Sequence, residues 1–221
     1  MTEASRILED ELQSPAKKFQ IEIRAGLKFL NRYSGAKATV FGSHRVTSGN
    51  IFYDDALLLG KALSKKGYTL VNGGGPGIMQ ATARGCLSEK GICLGLRAKV
   101  LTNEHVEDKY YSALAYFEFL EARKYVMASG SEVLIFYPGG LGTLDEFFEY
   151  LVQIQLGILR NKKIFCVGKE YWDELLCWLH SNVIARNYLI DPTKDLGAIT
   201  IVSDHKELTP LLFNEQKGLI H

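Results

Sequence analysis

The sequence predicts a single α/β domain of the doubly wound, Rossmann-like class, in which helices cover both faces of a mostly parallel sheet. Short apolar segments alternate with segments of helical periodicity along most of the 221 residues, which is the pattern of parallel strands joined by helices. The apolar segments are continuous, as expected for strands that are buried on both faces. No repeat or linker interrupts the pattern, so we expect a helical extension over residues 1–35 and one Rossmann-like domain over residues 36–221.

The first half of the chain begins the alternation after the extension. In the extension, apolar residues recur among charges as in amphipathic helices, so one or two helices are expected there, packed on the outside of the domain. Strands are then predicted at 38–41, 68–71 and 92–96, and helices at 54–66 and 78–88. Residues 97–112 are polar and contain tyrosines, which predicts a long loop, and long loops in compact domains are often functional.

The second half continues the same alternation to its end. Its clearest strand is the apolar run Val-Leu-Ile-Phe at 133–136, because the apolar residues that follow it recur at helical spacing. Strands are predicted at 115–119, 133–136, 164–167 and 199–202, and helices at 121–129, 144–157, 171–183 and 206–213.

Composition argues against a polyanionic or membrane partner. A formal net charge of +1 gives no long-range attraction to nucleic acid or to a membrane surface. No apolar run approaches the length of a bilayer span, and the first twenty residues lack the apolar core of a secretion signal. The cysteines, which are scattered without metal-ligand spacing, are expected to be buried thiols of a cytoplasmic protein that holds no metal: Cys86, Cys93, Cys166 and Cys177.

Residues 137–146, with the sequence Tyr-Pro-Gly-Gly-Leu-Gly-Thr-Leu-Asp-Glu, join a predicted strand to a predicted helix. A glycine-rich turn at this position leaves backbone N–H groups free at the positive end of a helix dipole, which favours an anion and above all phosphate. Two further small-residue turns follow strands, at Gly42-Ser43 and at 73–77. Because parallel strands end at one edge of their sheet, the three turns are expected to converge there. The carboxylate of Glu146, one turn into the helix, indicates chemistry beside the phosphate.

Missing residues narrow the class of phosphate compound. A triphosphate loop requires G-x-x-x-x-G-K-[ST], and no lysine follows either glycine loop. A dinucleotide loop requires G-x-G-x-x-G, but Ile78 stands where the third glycine belongs. The next predicted strand ends in Leu96-Arg97 and not in the acid that would bind a ribose hydroxyl. A monophosphate fits best, and no cofactor is expected.

Three motifs together resemble a known family: Gly-Gly-Gly-Pro-Gly at 73–77, Arg123-Lys124, and Pro-Gly-Gly-Leu-Gly-Thr-Leu-Asp-Glu at 138–146. The chain resembles the LOG family of nucleoside 5'-monophosphate phosphoribohydrolases, whose members are often mislabelled lysine decarboxylases. The resemblance covers about residues 37–208. It implies hydrolysis of the N-glycosidic bond of AMP or a cytokinin ribotide to free base and ribose 5-phosphate. It further implies that Glu146 and Arg123 are the catalytic pair, in a homodimer or larger assembly with sites near the interface.

The residue types suit that chemistry. Cleavage of a ribosyl–base bond builds oxocarbenium character on the sugar, and a carboxylate can stabilise that charge, hold ribose hydroxyls or activate water. An arginine can clamp phosphate or carboxylate in a bidentate manner. The candidate substrate-binding residues lie in the three turns and beside the arginine: Ser43, Gly74, Gly75, Lys124, Gly139, Gly140, Gly142 and Thr143.

Structural alternatives exist for several of these assignments. Thr143 and Glu146 have the spacing of a capping box, in which the glutamate only returns a hydrogen bond to the helix N-cap. Arg123 and Lys124 could instead lie on a solvated helix face. Ser43 could instead be a plain helix cap.

The sequence departs from the family pattern at a few places, which affects substrate identity more than fold. The family has Glu-Arg-Lys where this chain has Glu121-Ala122-Arg-Lys, so the glutamate is displaced by one position. Tyr137 is bulkier than the aliphatic residues that are common before the Pro-Gly-Gly string. His44 and Arg45 adjoin the first turn, where contact with the ligand is one alternative and an exposed loop is the favoured one.

The sequence also has features of two other functions. Ser-Asp-His-Lys at 203–206 has the form of a pyridoxal-phosphate lysine motif, but it lies far in sequence from both glycine loops, and the chain is too short for a pyridoxal fold with its own substrate domain. Some relatives with this scaffold bind a phosphorylated cofactor such as the molybdenum cofactor without turning it over. Glu146 and Arg123 together favour the hydrolase over a carrier.

Overall fold

The computed structural model describes residues 14–104, 106–184 and 196–214. They form one seven-stranded sheet with the order β4-β3-β2-β1-β5-β6-β7, in which every neighbouring pair is parallel. The strands are β1 (Lys37–Phe41), β2 (Thr69–Asn72), β3 (Cys93–Ala98), β4 (Ala113–Phe117), β5 (Val133–Phe136), β6 (Lys163–Val167) and β7 (Ile199–Val202). This arrangement confirms the doubly wound α/β class.

Helices cover both faces of the sheet. They are α1 (Pro15–Asn31), α2 (Ile51–Lys65), α3 (Ile78–Ser88), α4 (Leu120–Ser129), α5 (Leu141–Gln155), α6 (Lys169–Trp178) and α7 (His205–Asn214). Buried residues of α2, α3 and α7 pack in one hydrophobic core, and buried residues of α1, α4, α5 and α6 pack in the core on the opposite face. None of the helices in the described ranges is long and apolar enough to span a bilayer.

Helix α1 confirms the amphipathic helix expected in the N-terminal extension. Ser14 caps it by accepting a hydrogen bond from the Lys17 N–H at 3.3 Å. The helix is held on the outside of the domain by Phe19, whose ring lies 5.6 Å from that of Phe119. The predicted helical residues before 14 lie outside the described part of the chain.

The largest departure from prediction lies between β3 and β4. Strand β3 continues to Ala98, so the predicted loop from 97 begins two residues later, and short 3₁₀ turns at Lys99–Glu104 and Asp108–Tyr110 occupy much of it. The reason is Arg97, which is buried at the strand end and donates to the Asp108 carboxylate at 2.6 Å. A buried polar residue that finds hydrogen-bond partners can extend a strand that the apolar pattern ends earlier.

A second difference concerns α6. The predicted helix at 171–183 begins at Lys169 and is α-helical only to Trp178, after which a wider π-helical segment runs through Leu179–Ile184. Cys177 is exposed on this helix, so the expectation of four buried thiols is wrong for this residue and holds for the other three. The outward face of an amphipathic helix accounts for its exposure.

The order of the strands reverses between β1 and β5, which places the carboxyl ends of these two neighbours at a topological switch point. Backbone hydrogen bonds join the three predicted turns there. The Ser43 N–H donates to the Pro138 carbonyl, and the Ile78 N–H donates to the Ser43 carbonyl, both at 3.0 Å. The predicted convergence of the turns at one edge of the sheet is therefore confirmed.

Candidate functional site

A cavity of about 780 Å³ lies at this edge of the sheet. Its walls are the turn that begins with Gly42-Ser43 after β1 (the β1 turn), the turn at 73–77 after β2 (the β2 turn), α4 and α5. It brings together most of the predicted site residues: Ser43, Arg123, Lys124, Gly140, Gly142, Thr143 and Glu146 line it. Gly139, Gly74 and Gly75 do not line the cavity, although their neighbours Gly140 and Gly73 do. The structure thus separates residues that face the cavity from residues that shape its walls.

The N-terminus of α5 forms one end of the cavity. The helix begins at Leu141 after the N-cap Gly140, and no side chain caps it. The N–H groups of the first turn, from Leu141 to Thr143, have no partner within the helix, and these residues line the cavity. The first N–H to bond back is that of Leu144, which donates to the Gly140 carbonyl at 3.1 Å. An uncapped helix N-terminus that faces a cavity has the free N–H groups and the positive dipole end that favour an anion.

The same boundary decides between two interpretations of Glu146. Because the N-cap is Gly140, Thr143 is already inside the helix and Glu146 lies in its second turn. A capping box would require Thr143 as N-cap with Glu146 three residues into the helix. The capping-box interpretation is therefore wrong, and the Glu146 side chain is available to the cavity.

Glu146 and Arg123 lie next to each other on the cavity wall. An oxygen of the carboxylate lies 3.7 Å from a terminal guanidinium nitrogen, and the two side chains are 16% and 10% exposed, respectively. Burial raises the pKa of Glu146 to about 7, because the ionised form loses solvation. The Arg123 cation opposes this rise, and the nearby Asp145 carboxylate adds to it. Glu146 is therefore poised to exchange a proton near neutral pH.

Arg123 approaches the cavity over the β2 turn. A Cβ atom at Gly73 would lie only 2.5 Å from the guanidinium, so the absence of a side chain there makes room for the arginine. The Nε–H of Arg123 is buried and has no hydrogen-bond partner among the described residues. Buried donors are normally satisfied, so this group favours an oxygen ligand or an ordered water near the arginine.

Lys124 has protein partners of its own. Its ammonium group lies 3.0 Å from the carboxylate of Asp145 and 2.5 Å from that of Glu149, both on α5. Burial lowers the pKa of Lys124, but the hydrogen bonds to Glu149 and Asp145 outweigh it and leave the pKa raised. The lysine therefore stays charged and joins α4 to α5 beside Glu146 through its ion pairs with the two carboxylates.

The β1 turn contributes Ser43 and two basic neighbours. The Ser43 hydroxyl oxygen accepts the Arg45 N–H at 3.1 Å, so it closes a local turn and does not cap a helix. The exposed His44 and Arg45 side chains line the cavity, and the Arg45 Nε–H donates to His44 at 3.4 Å. The loop is exposed, as predicted, yet its basic side chains belong to the cavity.

Gly74 shapes the β2 turn from below the cavity. Its φ of +76° suits glycine, and a Cβ atom would lie 2.5 Å from the Arg97 side chain. The Gly74 N–H donates to the Asn72 amide oxygen at 2.9 Å, and its carbonyl accepts from Arg97 at 3.3 Å. These contacts hold Gly73 at the cavity wall against Arg123.

Sequence reasoning missed several apolar residues of the cavity wall. Met79, Leu101, Leu120 and Leu141 line it, together with Glu121. Their signal in the sequence is weak, since an apolar residue that follows a strand has the same pattern whether it faces the core or a cavity. Among the described residues, no group of His, Cys, Asp or Glu side chains is placed to hold a metal ion.

A family model described as "Possible lysine decarboxylase" matches residues 79–212, which is more than half of the chain. The chain belongs to this family. The match confirms the resemblance to the LOG family that the glycine motifs indicated, and the matched segment contains Arg123, Lys124 and the whole α5 loop.

Two curated relatives of this LOG-family chain carry closely similar names. The chain is 33% identical over 127 residues to "Cytokinin riboside 5'-monophosphate phosphoribohydrolase" of Mycobacterium tuberculosis, a match that covers 55% of this chain and 66% of that protein. It is 32% identical over 134 residues to "Cytokinin riboside 5'-monophosphate phosphoribohydrolase LOG5" of Arabidopsis thaliana, covering 60% of this chain and 58% of the relative. The matches thus span less than two thirds of these relatives.

Solved structures share the fold at lower identity. The molybdenum cofactor binding protein of Rippkaea orientalis superposes with a TM-score of 0.60 and 19% identity, covering 82% of this chain and 96% of that protein. At this identity the likeness establishes the Rossmann-like fold of the LOG-family chain and nothing about its ligand.

Proposed function

We propose that the protein hydrolyses the N-glycosidic bond of a nucleoside 5'-monophosphate, AMP or a cytokinin ribotide, to give the free base and ribose 5-phosphate. The observation that carries the proposal is the pair of Glu146 and Arg123 on the wall of a cavity that also holds the uncapped N-terminus of α5. Curated relatives named cytokinin riboside 5'-monophosphate phosphoribohydrolase support the same activity.

The phosphate group is assigned to the first turn of α5. The free N–H groups there and the helix dipole favour a dianion, and Ser43 lines the same cavity with a hydroxyl that can donate a further hydrogen bond. From Gly142 to Glu146 the helix rises about 6 Å, the scale of a sugar ring. A phosphate bound at the first turn therefore places the ribose beside the Glu146 carboxylate.

Glu146 then acts on the water and on the sugar. The carboxylate takes a proton from water as the water oxygen attacks the anomeric carbon, and the bond from that carbon to the base nitrogen breaks with its electron pair leaving on the base. The negative charge also stabilises the oxocarbenium character of the transition state. The proton returns to the base or to solvent. Arg123 orients the carboxylate and supplies donors to ribose or phosphate oxygens.

Release of adenine from AMP and of the free base from isopentenyladenosine monophosphate tests the proposal. Wild type is expected to release base, and Glu146→Ala to lose it by roughly 100-fold or more, since general-base catalysis contributes about that much. Glu170→Ala, which removes an exposed glutamate from α6, is the matched control and is expected to retain activity. Absence of base release by folded wild-type protein from a panel of nucleotides would refute the hydrolase.

The alternative is a carrier that binds a phosphorylated ligand without turnover; the structural relative from Rippkaea orientalis is named a molybdenum cofactor binding protein. The α5 cradle would serve such a ligand equally well. A carrier has no need of a buried carboxylate whose pKa is raised to about 7 beside an arginine, and this observation favours the hydrolase. Binding of AMP without base release would instead support the carrier.

The proposed assembly is a homodimer or a larger oligomer. Apolar side chains are exposed at both ends of α5 and just after it: Leu141 is 86%, Leu156 66% and Ile158 60% exposed. Exposed apolar side chains that lie close together mark interaction surfaces. Leu156 and Ile158 are two positions apart in the chain, whereas Leu141 lies at the other end of the helix and lines the cavity. Comparing the sedimentation of the wild-type protein with that of Leu156→Lys tests the assembly, and a monomeric wild type would contradict it.

The compartment is proposed to be the cytoplasm, since the described cysteines are all free thiols.

A further inference from the structure

The backbone of the phosphate loop, Pro138-Gly139-Gly140, is held by a side chain that does not line the cavity. The Tyr171 hydroxyl, on α6, donates to the Gly139 carbonyl at 2.8 Å. The peptide bond that follows Gly139 is trans, since the described chain contains no cis bond. In a trans peptide the C=O and the next N–H point in opposite directions. Fixing the Gly139 carbonyl toward α6 therefore directs the Gly140 N–H away from α6, and Gly140 lines the cavity.

A second tyrosine holds the same loop from the opposite face of the sheet. Tyr137 is fully buried in the core that α2, α3 and α7 form, and its hydroxyl donates to the Asp55 carboxylate at 2.7 Å. Burial raises the pKa of Tyr137, so its hydroxyl stays protonated as a donor. The other carboxylate oxygen of Asp55 lies 2.5 Å from Nδ1 of His205 at the start of α7. Tyr137 is thus anchored to two helices.

Pro138, between these anchors, is fixed through its backbone and its ring. Its carbonyl accepts the Ser43 N–H at 3.0 Å. A Cβ atom at Gly168 would lie 2.9 Å from the Phe52 ring and 3.1 Å from the Pro138 ring, so both rings occupy the space that this glycine leaves. The loop is therefore restrained from both faces of the sheet.

Such restraint has a function in an anion site made of glycine backbone. Glycines adopt many conformations, so an unrestrained Gly-Gly segment would have to be ordered when the phosphate binds. Binding is tighter when the donors are ordered beforehand. A carbonyl turned into the cavity would instead repel the phosphate.

We propose that Tyr171 and Tyr137 are positioning residues that hold the phosphate loop from opposite faces of the sheet, so that its N–H groups face the phosphate of the substrate. The proposal rests on the proposed function for the identity of the ligand. It assigns to two tyrosines outside the cavity a role in affinity for the phosphate group and not in the chemical step.

The test compares Tyr171→Phe and Tyr137→Phe with Tyr53→Phe. Among the described residues the Tyr53 hydroxyl also makes one hydrogen bond, which it accepts from Arg84 at 3.0 Å, but this bond joins α2 to α3 away from the loop. Calorimetric titration gives the Kd for AMP and for adenosine, which lacks the phosphate, and urea denaturation gives stability. Each loop variant is expected to weaken AMP binding roughly three- to tenfold, the effect of one hydrogen bond. Adenosine binding, the kcat for AMP, and AMP binding by Tyr53→Phe are expected to stay within about twofold of wild type.

The outcomes separate the two proposals. If both loop variants lose stability but bind AMP as wild type does, the tyrosines are structural and the inference is overturned. If wild type binds AMP but releases no base, the proposed hydrolase function is refuted, while the Kd values of the variants still decide the role of the tyrosines. If wild type binds neither AMP nor inorganic phosphate, both proposals fall. Should Tyr137→Phe not fold, Asp55→Asn alters the same contact and is expected to weaken AMP binding by a similar factor.

Discussion

The burial of the Glu146 carboxylate leads to a prediction about the stability of the protein that does not depend on which nucleotide is bound. Burial raises the pKa of Glu146 from the ordinary 4.5 to about 7 in the folded protein. Between these two values the folded state binds more protons than the unfolded state, so the free energy of unfolding falls as the pH rises through this range. Above pH 7 the ionised carboxylate is buried and its full cost is present.

The magnitude follows from the two pKa values. The difference between 4.5 and about 7 corresponds to about 3 kcal/mol, since each pH unit is about 1.4 kcal/mol. Glu146→Gln removes the charge and keeps the shape of the side chain. The free energy of unfolding of this variant at pH 8 is therefore expected to exceed that of wild type by up to about 3 kcal/mol. At pH 4.5 and below, where Glu146 is protonated when folded, the two proteins are expected to be nearly equal.

Urea denaturation of both proteins at pH 4.5, 6 and 8 measures this difference. The control is Glu149→Gln, one turn further along α5, where the carboxylate lies 2.5 Å from the Lys124 ammonium. That substitution breaks an ion pair, so it is expected to lower the free energy of unfolding at pH 8. A Glu146→Gln protein that is no more stable than wild type at pH 8, or whose gain does not change with pH, would refute the reasoning.

The remaining predictions concern activity and the phosphate loop. If ionised Glu146 is the general base, kcat/KM for AMP is expected to rise tenfold per pH unit below about 7 and to level off above it; a flat profile between pH 5 and 8 would contradict that role. Arg123→Lys is expected to lower kcat at least tenfold, since an ammonium lacks the planar fork of guanidinium, and unchanged kcat would exclude a catalytic role for the arginine. Gly139→Ala places a Cβ atom 2.2 Å from the Thr143 hydroxyl and is expected to lower the free energy of unfolding by about 1–3 kcal/mol in urea denaturation. Gly140→Ala meets nothing within 4 Å and is its control, so equal losses would refute the steric argument.

The fold could be predicted from the sequence because a parallel sheet buries both faces of its strands. The run at 133–136 is entirely apolar and its strand is found there. The apolar pattern gave the wrong strand end where a charged residue is buried. Arg97 is such a residue, and its partner Asp108 lies in a later turn. The predicted burial of Cys177 was wrong for the opposite reason, since nothing in the sequence distinguishes an apolar residue on the outer face of a helix from a buried one.

The candidate site was predictable where backbone chemistry requires particular residues. Glycines that leave N–H groups free, and a carboxylate and an arginine placed near them, can be recognised in a sequence. Side chains that support this backbone cannot, because Tyr171 reaches the Gly139 carbonyl from a helix 32 positions along the chain. Leu101 and Leu120 of the cavity wall likewise depend on tertiary contacts that no local pattern encodes.

Helix α5 explains why so short a motif specifies the site. Its first turn has N–H groups that are free of helix partners and its second turn carries Glu146, so the helix fixes the distance between the two. The rise and the rotation of an α-helix are set by its backbone hydrogen bonds, and loops could not hold this spacing as firmly. What the helix cannot fix is the conformation of the glycines before it, and that task falls to residues of neighbouring elements. The site is therefore one rigid helix, whose spacing the sequence encodes, and one glycine loop, whose order depends on the rest of the fold.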